Sequence, residues 1–264
     1  MKCCHKIALI SALSATLGGC GGGGGFYTAP ADPAPNASPG GIWKGTSSSG
    51  VSLIGLVTEA GKAYFVDING GAQYFGTMST SGSALSGTFT GYTPFGYTFS
   101  DGSTSETGTL TGTVDARNSM SFSLTTRTSG GAAGSDNVSL QFNSIYNQSS
   151  SLATIAGSYT ESNGNALSIG SDGTITLTDT VDGSGCSVSG KVAIIDSKYN
   201  AYGVSFTFSG CTGNYSVLNA LQFTGLATLD TTTSPVKLYV GADAQAGLNT
   251  GLDGVAETLI FTRS

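Results

Sequence analysis

Met120-Ser121-Phe122-Ser123-Leu124-Thr125 decides the fold of this chain, because apolar and hydroxyl side chains alternate along it without a break. Successive side chains of a β-strand point to opposite faces, so the pattern predicts a strand with one buried face and one wet face. A helix would instead need apolar residues three and four positions apart. The stretch therefore predicts a strand in an antiparallel sheet.

The same alternation recurs through most of the chain, for example in Val138-Ser139-Leu140 and Phe206-Thr207-Phe208. Turn signals such as Asp101-Gly102 separate these segments, and together they predict about sixteen short strands. Glycines inside the predicted strands, among them Gly112 and Gly225, are interpreted as bends or points of close packing. The fold class is therefore all-β.

Two segments open the predicted halves in a similar way, Gly41-Ile42-Trp43-Lys44-Gly45 and Ala156-Gly157-Ser158-Tyr159-Thr160. We expect two consecutive antiparallel β domains, residues 41–150 and 151–264, each an eight-stranded lipocalin-like barrel or sandwich. One continuous sandwich is the alternative. The Gly-x-Trp of the first segment resembles the opening of lipocalin-like barrels, in which the Trp closes one end.

The amino terminus has the features of a targeting sequence. Lys2 and Lys6 precede an apolar run from Ile7 to Leu17, which is shorter than the roughly 20 residues of a membrane-spanning helix. A basic start followed by a short apolar run is typical of a secretory signal peptide. Leu17-Gly18-Gly19-Cys20 resembles the lipobox of bacterial lipoproteins. The resemblance implies that residues 1–19 are removed and that Cys20 is acylated and joins the protein to a membrane. An ordinary signal peptide followed by an incidental Cys is the alternative.

Residues 20–40, rich in Gly and Pro, are predicted to be a flexible tether. The tether resembles those of surface-exposed lipoproteins, including the transferrin-binding and factor-H-binding families. In the lipoprotein family an Asp after the acylated Cys marks inner-membrane retention, and here that position holds Gly21. We therefore expect a lipid-anchored protein of the outer membrane, on its periplasmic face or at the cell surface.

Charge and histidine content exclude several functions. Without Lys2 and Lys6 the 10 basic residues fall to 8, against 16 acidic ones, and the basic residues do not cluster. Nucleic-acid binding is therefore not expected. The only His is His5, inside the predicted signal peptide, which removes His-dependent catalysis and His-ligated metals from the mature chain. We predict no catalytic residue, no metal ligand and no cofactor.

Cysteine usage predicts one disulfide. Cys3 and Cys4 leave with the signal peptide, so Cys186 and Cys211 remain beside the acylated Cys20. In an oxidising envelope compartment this pair is expected to form a disulfide, which stabilises the fold by roughly 3 kcal/mol. A metal pair or a redox pair would need further ligands or a C-x-x-C spacing.

Two aromatic segments are candidate binding surfaces. Tyr92, Phe95 and Tyr97 lie among Gly and Pro, and Tyr199 and Tyr202 lie between the two cysteines. Tyr is favoured at interfaces because it joins apolar area to a polar tip. The alternatives are core aromatics for the first segment and a simple polar turn for the second.

The leading hypothesis is a non-catalytic binding or structural protein of the envelope, either an adhesin or host-factor binder for a protein or glycan, or a scaffold. A lipocalin-like carrier of a small apolar ligand is the first alternative. A glycan hydrolase with two carboxylates is the second, and Asp179 with Asp182, or Glu59 with Asp67, would form its pair.

Overall fold

A computed structural model describes residues 35–94, 96–162, 164–178, 185–219, 221–244 and 255–264, with the backbone alone for residues 255–257. In these residues sixteen strands form two closed antiparallel barrels of eight strands each. The prediction of two consecutive eight-stranded β units is confirmed, and both units are barrels rather than sandwiches. The predicted signal peptide, Cys20 and residues 21–34 of the predicted tether lie outside the described residues.

In barrel 1 each strand pairs with its neighbour in sequence, and β8 closes on β1. Its strands are β1 (Gly41–Ser47), β2 (Ser52–Val57), β3 (Lys62–Asp67), β4 (Gln73–Ser81), β5 (Ala84–Tyr92), β6 (Ser105–Asp115), β7 (Ser119–Thr128) and β8 (Ala133–Asn143).

Barrel 2 repeats this topology, and β16 closes on β9. Its strands are β9 (Gly157–Glu161), β10 (Ala166–Ile169), β11 (Thr174–Thr178), β12 (Ser187–Ile194), β13 (Tyr202–Ser209), β14 (Gln222–Asp230), β15 (Lys237–Ala244) and β16 (Val255–Arg263).

A short linker joins the barrels through a 3-10 helix, Ser144–Asn147, and a one-turn helix α1, Leu152–Ile155. Ser151 caps α1, because its hydroxyl accepts a 3.0 Å hydrogen bond from the Thr154 amide. A second 3-10 helix, Gly213–Leu218, connects β13 to β14. In the described part of the chain, no helix has the length and hydropathy needed to cross a membrane.

The alternating pattern places the core inside each barrel. Met120 and Phe122 of β7 are buried, whereas Ser121 and Ser123 are exposed. Inward glycines let neighbouring strands approach closely, as was expected of Gly112, where a Cβ would lie 2.0 Å from the Ser121 carbonyl oxygen.

The two ends of barrel 1 differ. At the end where β1 begins, which we call the closed end, Trp43 is fully buried and its Nε1 donates a 2.9 Å hydrogen bond to the Pro39 carbonyl. The opposite, open end carries the loop of residues 93–104. A cavity of about 100 Å³ lies inside barrel 1 and one of about 30 Å³ inside barrel 2. Side chains therefore fill most of both interiors.

The barrels belong to one compact unit and touch through the outer face of β1 to β5. The Tyr64 ring lies directly over Gly241 of β15, and its hydroxyl forms a hydrogen bond with the Thr258 hydroxyl. Phe75 packs on Tyr64 with 4.9 Å between ring centroids. Barrel 1 is thus apolar on both faces of these strands, inside and toward barrel 2.

The predicted disulfide between Cys186 and Cys211 is confirmed. Cys186 directly precedes β12 and Cys211 follows β13, so the bond closes the open ends of this hairpin. Both cysteines are buried in the core of barrel 2.

Candidate functional site

A largely apolar groove of about 500 Å³ lies between the two barrels, beside these contacts. We call it the interbarrel groove. Strands of both barrels form its apolar walls, which include Ile42, Ile54, Leu56, Val66 and Ile68 from barrel 1 and Leu226, Tyr239 and Ile260 from barrel 2.

Two isoleucines leave this groove open to an apolar ligand. Ile68, after β3, is 51% exposed, and Ile260 of β16 is 47% exposed. Both line the groove, one from each barrel. Large apolar side chains that stay exposed along a concave surface mark a ligand or partner site more often than single exposed residues do.

The groove contains one cationic side chain, Lys44, and one carboxylate, Asp67, among its described lining residues. Asp67 accepts a 2.9 Å hydrogen bond from the Asn69 amide, which ties its carboxylate to the β3–β4 turn. Neither of the two ion pairs in the described residues involves Lys44. The exposed Lys44 ammonium is therefore available to an acidic group at the groove.

Sequence reasoning missed the groove, although a local signal for it exists. Ala63-Tyr64-Phe65-Val66 in β3 is apolar without alternation. A continuous apolar run in a strand indicates burial on both faces. The run shows that β3 is covered from outside, but it does not name barrel 2 as the cover.

The fold buries one tyrosine of the first predicted aromatic segment and exposes the other. Tyr92 is buried between the barrels, 6.2 Å from the Phe75 ring centroid, and is part of the core there. Tyr97, in the loop after β5, is 69% exposed. Phe95 lies outside the described residues. Of the described aromatics singled out in this segment, Tyr97 alone is presented to a partner.

The second predicted segment is packed against the rest of the molecule. Tyr202 is fully buried in barrel 2, with its hydroxyl 3.3 Å from both the amide nitrogen and the carbonyl oxygen of Ser151. Tyr199 is half-buried and stacks on Tyr146 of the linker, with 4.9 Å between centroids. The turn between β12 and β13 is therefore an internal contact rather than a free recognition hairpin.

A cation–aromatic cluster holds the linker at the closed end of barrel 1. Arg117, in the β6–β7 turn, lies 4.8 Å from the Tyr146 ring centroid and 5.0 Å from that of Tyr199. Its guanidinium also pairs with Glu59 at 2.6 Å. The four side chains come from distant parts of the sequence, so no local pattern predicts the cluster.

The electrostatics of the cluster are those of a structural ion pair. Burial alone would raise the pKa of Glu59, but hydrogen bonds from Arg117, Ser38 and Tyr146 outweigh burial and lower that pKa. Burial and the neighbouring Glu59 charge raise the pKa of the Tyr146 hydroxyl. Glu59 therefore stays ionised and paired with Arg117, as expected of a structural contact and not of a proton donor.

The carboxylate pairs considered for a hydrolase do not form a site in the described residues. Glu59 precedes β3 at the closed end, and Asp67 ends β3 at the open end. That strand separates them by roughly 20 Å, whereas paired glycosidase carboxylates lie roughly 5–10 Å apart. Asp179 and Asp182 lie outside the described residues.

No group of three or more His, Cys, Asp or Glu side chains in the described residues has the arrangement of a metal site.

Comparisons with known proteins identify no family. No protein-family model matches the chain, and no curated protein sequence is significantly similar to it. Among solved structures, Aeromonas veronii immune modulator A aligns with 88% of this chain and 96% of its own, at 8% identity and a TM-score of 0.37.

Proposed function

We propose that this chain is a non-catalytic envelope lipoprotein that binds an apolar small molecule in the interbarrel groove. The observation that carries the proposal is the groove itself, about 500 Å³ in volume, with an exposed isoleucine from each barrel on its wall. Ligand pockets in proteins commonly have volumes of roughly 300–1,000 Å³ and mostly apolar walls.

The small volumes of the two barrel interiors favour the groove as the ligand site. A cavity of roughly 150 Å³ holds a molecule as small as benzene. The interior of barrel 1 offers about 100 Å³ and that of barrel 2 about 30 Å³. A carrier of a lipid-sized ligand would therefore use the groove, and not a barrel interior as lipocalin-like carriers do.

Lys44 indicates which head group the proposed ligand would carry. Its unpaired ammonium lies at the groove, where it would attract a carboxylate or phosphate head group. The proposed ligand is thus an elongated apolar molecule with an acidic head.

The test is a titration of the purified protein with oleate, followed by calorimetry. We expect saturable binding that Ile68→Asp and Ile260→Asp each weaken by about tenfold, because a charge replaces apolar contact area. Ile194→Asp is the matched control, since Ile194 is 41% exposed on β12 and does not line the groove. Lys44→Met should weaken oleate binding but leave oleyl alcohol binding unchanged.

Two results would overturn the groove proposal. One is an absence of saturable binding by oleate and by oleyl alcohol. The other is equal affinity for oleate in the Ile68→Asp and Ile194→Asp variants.

A second candidate function, that of a surface adhesin or host-factor binder, has the support of Tyr97. This aromatic residue is 69% exposed in the loop of residues 93–104, at the open end of barrel 1. The hypothesis requires the barrels to be outside the cell, so a protease added to intact cells should degrade them while a periplasmic control protein survives. Protection until the outer membrane is broken would leave the carrier function.

A further inference from the structure

The open end of barrel 1 contains a buried carboxylate that the proposed function does not use. Glu106 of β6 is 8% exposed and lines the cavity of about 100 Å³ inside the barrel. Asp136 of β8 lines the same cavity. The rest of the lining is largely apolar and includes the rings of Phe65, Tyr74, Phe89 and Phe122.

Gly91 of β5 brings Glu106 and Tyr74 together. It pairs with Glu106 on one side and with Tyr74 on the other. A Cβ at this position would lie 2.9 Å from Glu106 Cγ and 3.0 Å from Tyr74 Cδ1. Because Gly91 lacks a side chain, the carboxylate and the aromatic ring lie side by side over its backbone.

No positive charge compensates Glu106 in the described structure. The cavity lining contains no Lys, Arg or His, and the two ion pairs of the described residues lie elsewhere. Burial raises the pKa of Glu106, and a hydrogen bond with Thr126 only partly opposes this. A carboxylate buried in this way is costly unless a partner compensates it.

Asp136 supplies a second, firmly ionised carboxylate. Its oxygens accept hydrogen bonds from the Ser48 and Ser49 hydroxyls and from the Ser49 and Asn137 amides. Burial opposes ionisation here too, but these donors outweigh it and hold the pKa of Asp136 well below its ordinary value. The cavity wall therefore carries two acidic side chains, and Asp136 is the one held in its ionised form.

We propose that the cavity of barrel 1 binds a small organic cation, an ammonium group on an apolar body of about three carbon atoms. The ammonium would pair with Glu106 among the aromatic rings, whose faces attract cations, and Asp136 would add a second negative charge on the cavity wall. An anion would meet two negative groups. A neutral apolar molecule would leave Glu106 without a charged partner.

The test is a calorimetric titration of the full-length protein with propylamine, propanol and propionate, three molecules of similar shape. We expect the amine to bind about tenfold or more tightly than the alcohol and the acid, because hydrogen bonds to charged groups are the stronger ones. Equal affinity for amine and alcohol, or no binding of the amine, would overturn the proposal.

Two variants test the residues. Glu106→Gln keeps the side-chain shape without the charge and should weaken amine binding about tenfold or more. Asp136→Asn provides the same test for the second acidic side chain, and Glu161→Gln in barrel 2 is the matched control. Amine affinity unchanged in both Glu106→Gln and Asp136→Asn would contradict the site.

The groove and the cavity are distinguishable by experiment. Ile68→Asp should leave amine affinity unchanged, since Ile68 does not line the cavity. Glu106→Gln should likewise leave oleate affinity unchanged, since Glu106 does not line the interbarrel groove.

Discussion

At the scale of single residues, Tyr64 of barrel 1 packs closely against Gly241 of barrel 2. A Cβ on Gly241 would lie 2.0 Å from Tyr64 Cζ, so even one methyl group cannot fit. We expect Gly241→Ala to displace the ring from Thr258 and to lower the free energy of unfolding by about 1–3 kcal/mol. Urea denaturation measures this change.

The matched control for this prediction is Gly203→Ala in β13. A Cβ there would lie 3.8 Å from Ile195 Cγ1, an ordinary contact. Alanine should therefore be tolerated at Gly203, since glycine in a strand carries an entropic cost. If both variants unfold at the same urea concentration, Tyr64 does not pack on Gly241.

The raised pKa of Glu106 predicts that the stability of the fold depends on pH. Its pKa in the folded chain lies above the ordinary value of 4.5 because burial disfavours the charged form, and the neighbouring hydroxyl of Tyr74 is a second titratable group. The folded state thus holds the proton more tightly than the unfolded state does. The stability contribution of Glu106 is greatest below pH 4.5 and falls as pH rises through the folded pKa.

Glu106→Gln should remove this loss of stability at higher pH. Above the folded pKa the variant should be more stable than the parent chain, and the difference should vanish as pH falls below 4.5. Urea midpoints of both proteins, measured across this range, provide the test. A variant that is less stable than the parent at neutral pH would show that the Glu106 charge is compensated in the folded state.

At the scale of elements, the β12–β13 turn holds the interbarrel linker. Asn200, buried in this turn, donates from its amide side chain to the Leu229 carbonyl at 2.6 Å and accepts from the Leu229 amide at 3.1 Å. Its backbone amide donates to the Tyr146 carbonyl at 2.9 Å. One residue thus joins the turn, the linker and β14.

Asn200→Ala should therefore destabilise the fold by about 2–4 kcal/mol, because the buried Leu229 amide and carbonyl lose their partner. Thermal unfolding of the variant measures the loss. Asn118→Ala is the control, since Asn118 is exposed and bonds Asp115 within its own turn. Equal melting temperatures for the two variants would contradict the role given to Asn200.

At the scale of the whole molecule, the proposed lipid anchor is tested through Cys20. Cells that produce the protein with labelled palmitate should incorporate label, and Cys20→Ser should abolish incorporation and release the protein from the membrane fraction. The physical reason is that two or more acyl chains anchor stably, whereas the barrels have no other proposed attachment. Label retained in Cys20→Ser would refute the lipobox hypothesis.

Much of the fold could be predicted because its signals are local. Alternation such as Met120 to Thr125 has the period of a strand, and Gly-containing turns separate one strand from the next. The disulfide followed from counting: two cysteines remained once the signal peptide and Cys20 were set aside. Neither inference required knowledge of which strands lie side by side.

The candidate sites were harder to predict because they combine residues from distant strands. Tyr92 looked like a surface residue beside Gly and Pro, yet the packing of barrel 1 on barrel 2 buries it. Glu106 continues the inward-facing series that includes Leu110 and Val114, but nothing in the sequence distinguishes it from the other acids among the sixteen. Its cavity exists only once β4, β5 and β8 surround it.

The sequence by itself determined that this chain forms half-buried antiparallel strands in two units, because side-chain periodicity and turn chemistry act over a few residues. The tertiary structure alone decided that the units close into barrels and pack against each other. It thereby created the interbarrel groove and the buried Glu106. The physical reason is that the outer face of a strand is buried only when a segment distant in the sequence packs against it.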